Sequence, residues 1–170
     1  YVGLTELEKS SIPMRSNKLF TLSGIKYASR ALLQKGAKDA ISEDESKLAA
    51  EFWKHVGQNM PDWILVRDKK VVASELRQQF IHTHGIVLHA LGNVGAYLLA
   101  TEPKNWKHTL KKLPTVDWDR SNTKLWEGRA MIHGRISKAR SNILLTGNVI
   151  KQALGIDLTG EEQALENKIT

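Results

Sequence analysis

The stretch GIVLHALGNVGAYLLA, residues 85–100, decides the fold. Its sixteen residues carry His89, Asn93 and three glycines among otherwise apolar side chains, short of the about 20 uninterrupted apolar residues that a membrane span needs. A helix apolar on all sides has to be covered on all sides. The segment therefore reads as a buried central helix against which the rest of the chain packs. Gly92 and Gly95 stand in GxxG spacing, with no strand or GxGxxG before them, so they fit close helix packing better than a dinucleotide fingerprint.

Helical punctuation recurs on both sides of this segment. Thr21 can cap a helix whose Leu22, Ile25, Ala28 and Leu32 share one stripe, with Gly36 as its stop. Ser42 and Glu45 form a capping box ahead of Leu48, Ala49, Phe52, Trp53 and Val56, ending before Pro61. Ser74 opens a helix running to Ile81, and His84 or Gly85 begins the central one, with Pro103 just beyond it. Thr101 is expected to cap a short basic helix through Leu110 that Pro114 ends. Asn122 or Thr123 opens another, with Leu125 and Trp126 inward. Thr146 is expected to cap a helix bearing Ile150 and Leu154, with Gly155 at its C-terminal cap, and Thr159 with Glu162 makes a second capping box. Residues 64–66, 71–72 and 143–145 have strand composition, yet none alternates over a useful length. The expectation is a mainly α fold, a compact single-domain bundle of about seven or eight helices over residues 1–170.

Composition narrows the chemistry. The 170 residues include no cysteine, which removes disulfides, cysteine zinc sites, thiol nucleophiles and iron–sulfur clusters; this permits a reducing compartment as the expected location. The opening YVGLTELEKSSIP lacks the basic, apolar and small-residue order of a signal peptide, and a chain starting at Tyr1 is expected to be the C-terminal domain of a longer protein. His82, His84 and His89 lack metal-binding spacing and are expected to serve as buried hydrogen-bonding groups. There is no phosphate-binding lysine loop, no GxSxG elbow and no carboxylate pair with a partner base, since Asp117 and Asp119 merely flank Trp118. No catalytic residue, metal or cofactor is expected.

Charge is the informative feature. Lys104, Lys107, Lys111, Lys112, Arg120, Lys124, Arg129, Arg135, Lys138 and Arg140 face only Asp117, Asp119 and Glu127 within residues 104–140, so this segment holds the whole net charge of +7. Such concentration points to a polyanionic partner, against the ordinary alternative of a solvated basic face. Trp106 and Leu110, spaced i, i+4, are expected inward, and Lys107 and Lys111 outward with Lys104. If the helix continued past Gly128, Arg129, His133 and Arg140 would align, with Arg135 and Lys138 on the opposite side and Ser137, Ser141 and Asn142 alongside. Arginine with small hydroxyl side chains suits phosphate contact. The structural alternative is that Arg129 or Arg120 pairs with Glu127 or Asp119.

Four stretches carry a family resemblance: RSNKLFTLSGI (15–25), FIHTHGIVLHALG (80–92), NWKHTLKKLPTVDWDRSNTKLWEGRAMIHGRISKARSNILLT (105–146) and LTGEEQ (158–163). They resemble the C-terminal part of the DNA sulfur modification protein DndB family. Members carry an upstream domain named for a DGQHR motif, and that motif is absent from this sequence. The resemblance implies a bacterial cytoplasmic protein encoded with the machinery that places phosphorothioate in DNA, and a DNA-binding regulator of that gene cluster more than a sulfur-transfer enzyme. It supplies no DNA-contacting residues, so the ten cations rest on charge and spacing alone. The expected partner is double-stranded DNA, with a possible homo-oligomer and no membrane. Two further functions compete: an interaction or oligomerisation domain supporting an upstream DNA-acting domain, and the supporting half of a nucleic-acid enzyme.

Overall fold

The computed structural model describes residues 1–169. After a 3-10 turn at Val2–Leu4, β1 (Thr5–Glu6) pairs in parallel with β2 (Phe20–Thr21), Thr5 opposite Phe20. Then follow α1 (Leu22–Leu32), α2 (Glu43–Gln58), α3 (Pro61–Arg67), α4 (Ala73–Gln79) and α5 (Gly85–Thr101). The one-turn α6 (Trp106–Thr109) runs into a 3-10 helix, Leu110–Thr115, and the equally short α7 (Thr123–Trp126) leads to a hairpin of β3 (Met131–Ile132) and β4 (Arg135–Ile136). Two helices, α8 (Arg140–Leu154) and α9 (Gly160–Glu166), complete the described residues. The fold is mainly α, as expected.

The central helix is α5, packed between α1 and α8. Ile86, Val87, Leu88, Ala90, Leu91, Val94 and Leu98 are all buried on it, while His89, Asn93 and Ala96 lie half-buried and Ala100 exposed on the remaining side. Glycine makes the close approach possible. A Cβ on Gly92 would lie 2.3 Å from the Ala28 carbonyl oxygen of α1, and one on Gly95 would lie 2.4 Å from the Phe52 ring of α2.

Local signals place most helix starts. Thr21 accepts the Gly24 N–H, and both capping boxes form at Ser42 with Glu45 and Thr159 with Glu162. Asn122 accepts the Leu125 N–H, and Gly155 closes α8 at φ 77°. Other expectations are corrected. Helix α1 ends before Gly36, because Gln34 takes the left-handed conformation at φ 54°. Thr101 is the last residue of α5 and donates to the Tyr97 carbonyl, so it caps nothing after it. Pro114 lies inside the 3-10 helix it was expected to follow, and α4 starts at Ala73 and stops at Gln79. Thr146 sits mid-helix, donating to the Asn142 carbonyl at 2.7 Å, because α8 starts six residues earlier. Residues 64–66 and 143–145 are helical.

Candidate nucleic-acid interface

The basic segment does not form one helix. Gly128 (φ 81°), His133 (φ 50°) and Gly134 (φ 71°) turn the chain twice, so residues 129–136 form a hairpin and the expected alignment of Arg129, His133 and Arg140 does not exist. What results is two groups of cations on irregular, short elements.

The first group surrounds α6. Lys104, Lys107 and Lys111, with His108 and the α2 residues His55, Gln58 and Asn59, line a shallow depression of about 460 Å³. Trp106 is buried against Phe52 and His55, which turns the lysines outward as its spacing required. Lys107 pairs with Glu51 of α2, and that hydrogen bond holds the Glu51 carboxyl below its usual range. Lys112 instead reaches the Leu154 carbonyl at 3.4 Å, at the negative end of the α8 dipole.

The second group surrounds the hairpin. Arg120 is pinned by backbone pairing of 118–120 with 79–81, and its guanidinium contacts the Gln78 and Gly134 carbonyls at 3.4 Å. Lys124, Arg135, Lys138 and Arg140 are exposed and have no ion pair among the described residues. Lys138 and Arg140 flank the start of α8, whose first turn holds no acidic residue.

Arg129 differs from the rest. Its guanidinium binds Glu166 of α9 at 2.6 Å and the Leu125 carbonyl at 3.0 Å, with 19% of the side chain exposed. The expected structural partners, Glu127 and Asp119, are engaged elsewhere: Glu127 with the hairpin turn, Asp119 with Ser121 and Gln79. A guanidinium already paired with a carboxylate is less available to a phosphate than an unpaired one.

His82 and His84 are engaged within the fold. His82 Nδ1 accepts the Trp63 indole N–H at 3.1 Å, and Nε2 donates to Asp62 at 2.9 Å, so both ring nitrogens are occupied. Among the described residues no group of three or more His, Asp or Glu is placed to hold a metal ion. Burial pushes the His82 imidazole below its ordinary value, against the pull of the Asp62 hydrogen bond and charge. His84, donating to the Arg77 carbonyl, and His89 are lowered by burial as well. A base whose folded pKa is depressed leaves the unfolded chain binding more protons, so stability falls as pH drops below about 6.5, by up to about 1.4 kcal/mol per pH unit for the buried His82. Urea unfolding between pH 7.5 and 5.5 should show this loss. A flat profile would contradict the burial of neutral imidazoles.

No helix among the described residues is long and apolar enough to cross a membrane. No curated protein and no solved structure matches the chain significantly. Residues 1–157 match the model of the family DndB, described as DNA-sulfur modification-associated, and so span the central helix, both groups of cations and all but the last turn of chain before α9. The chain belongs to the DndB family and is thereby associated with DNA sulfur modification.

Proposed function

We propose that this domain is the DNA-contacting helical part of a cytoplasmic regulator of DNA sulfur modification genes, and that it holds duplex DNA through its phosphates. One observation carries the reading: after Lys107 and Arg129 are assigned to Glu51 and Glu166, the other eight cations, Lys104, Lys111, Lys112, Arg120, Lys124, Arg135, Lys138 and Arg140, have no carboxylate partner among the described residues. A domain retaining that many uncompensated cations within 37 residues has a surface suited to a polyanion. Its site is a set of phosphate contacts with no part in catalysis.

Charge reversal tests this. Arg135→Glu with Lys138→Glu should weaken binding to any duplex sequence about 10- to 100-fold and flatten the log-log salt slope by about 2. Lys9→Glu with Lys38→Glu, at exposed positions outside the basic segment, should change affinity little. Equal losses in the two folded double variants would refute the localisation. The competing interaction-domain reading draws on exposed Val2, Leu7 and Met14 near the N-terminus, and self-association in sedimentation with no affinity for DNA would favour it.

A further inference from the structure

The hairpin is a braced projection. Its turn residues His133 and Gly134 both have positive φ, the requirement of the two-residue turn that matches strand twist. The Glu127 carboxylate accepts both turn N–H groups, from His133 and from Gly134. At the base, Gly128 N–H donates to the Met131 carbonyl at 2.8 Å and Ser137 N–H to the Ala130 carbonyl at 2.9 Å. The buried Asn142 amide donates to the Gly128 and Arg129 carbonyls, and the Arg129–Glu166 pair ties the same strand to α9. The tip is therefore held in one shape before any partner arrives.

Strand alternation then sorts its side chains. Met131 is buried and stands opposite the half-buried Ile136, on the core side. Ile132 pairs with Arg135 on the outer side, and Ile132 is 41% exposed. An exposed branched aliphatic thus stands beside an exposed arginine that has no ion pair among the described residues. Arg120, contacting the Gly134 carbonyl, and Lys138 and Arg140, which follow β4 in the chain, give the hairpin a cationic setting.

We propose that the hairpin tip is a wedge for duplex DNA: Ile132 presses against a base step and loosens its stacking, while Arg135 and Arg120 hold the phosphates beside it. This rests on the reading that the basic segment meets DNA. Aliphatic wedges of this kind partially unstack the step they enter, and the pyrimidine–purine steps TA and CA/TG yield most easily. The chain should accordingly prefer a duplex with a central TA step over a stiff A-tract of equal length, without base-edge hydrogen bonds.

The test uses duplexes carrying 2-aminopurine at a TA step, whose fluorescence rises on unstacking. Wild-type protein should raise the signal on binding. Ile132→Ala should bind about tenfold more weakly, with an unchanged salt slope and no fluorescence rise, whereas Ile132→Phe should retain the rise. A mismatch that loosens the step beforehand should bring Ile132→Ala back towards wild-type affinity. Ile132 is on the surface, so circular dichroism of each variant should match the wild type, and a variant that lost the fold would overturn the outward placement of this side chain. Binding of wild type without a fluorescence rise, or Ile132→Ala indistinguishable from wild type, would overturn the wedge and leave phosphate binding standing. No binding by any of the three proteins would overturn the DNA reading itself.

Discussion

Gly92→Ala is expected to destabilise the domain by about 3 kcal/mol or more, beyond the usual range for an added core methyl. The added Cβ would sit 2.3 Å from the Ala28 carbonyl oxygen, with the Ala28 carbonyl carbon at 3.1 Å and its Cα at 3.4 Å. All three are backbone atoms of α1, so no side chain can rotate away and the two helices have to part. That separation loosens the principal helix contact of the fold, α1 against α5. Gly147→Ala on α8 provides the opposite sign. Its Cβ would meet only Val94 Cγ2 at 3.7 Å, an ordinary contact, and replacing a mid-helix glycine by alanine gains about 0.5 to 1 kcal/mol. Urea unfolding of both variants checks the pair. A Gly92→Ala protein as stable as wild type would mean that α1 and α5 do not cross where the structure places them.

Arg129→Ala should cost about 3 to 5 kcal/mol, the range for removing one partner of a buried ion pair. Glu166, 9% exposed, would be left with the Asn148 amide at 3.1 Å as its remaining side-chain partner. The loss is expected mainly from stranding a carboxylate. Arg129→Met combined with Glu166→Leu should therefore recover most of it, since an apolar pair of similar volume is often neutral or better. Thermal or urea unfolding of the single and double variants decides. A single variant within about 0.5 kcal/mol of wild type, the usual scale for surface changes, would return Arg129 to the set of available cations.

Residues with nearby partners were legible in the sequence, and residues with distant ones were not. The caps at Thr21, Ser42, Asn122, Gly155 and Thr159 act over two to four residues, so spacing alone exposes them. The buried centre was readable from residues 85–100 because a helix so largely apolar is stable only where most of its surface is covered. Three of the ten cations have partners in the fold that spacing does not reveal, for one reason. Lys107 meets Glu51 across 56 residues, Lys112 meets Leu154 across 42, and Arg129 meets Glu166 across 37. No local pattern encodes those separations. The hairpin was hidden differently. His133 at φ 50° occupies a place usually signalled by asparagine, aspartate or glycine, and only two residues on each side alternate. Gly134 was the available signal: a glycine between two apolar-containing pairs, MI and RI, marks a turn once the helix is not assumed.

The central claim is that the cations of residues 104–140 meet DNA phosphates, and a salt titration of duplex binding by the wild-type chain tests it most directly. Eight cations of the segment are without a carboxylate partner among the described residues, and engaging about four to six of them should give a plot of log K against log salt with a slope of about −4 to −5, at about −0.9 per phosphate neutralised. Affinity should be similar for unrelated sequences of equal length and flexibility, because phosphate contacts position without reading bases. Binding that is absent at low salt, or that persists with a slope near zero, would contradict the account.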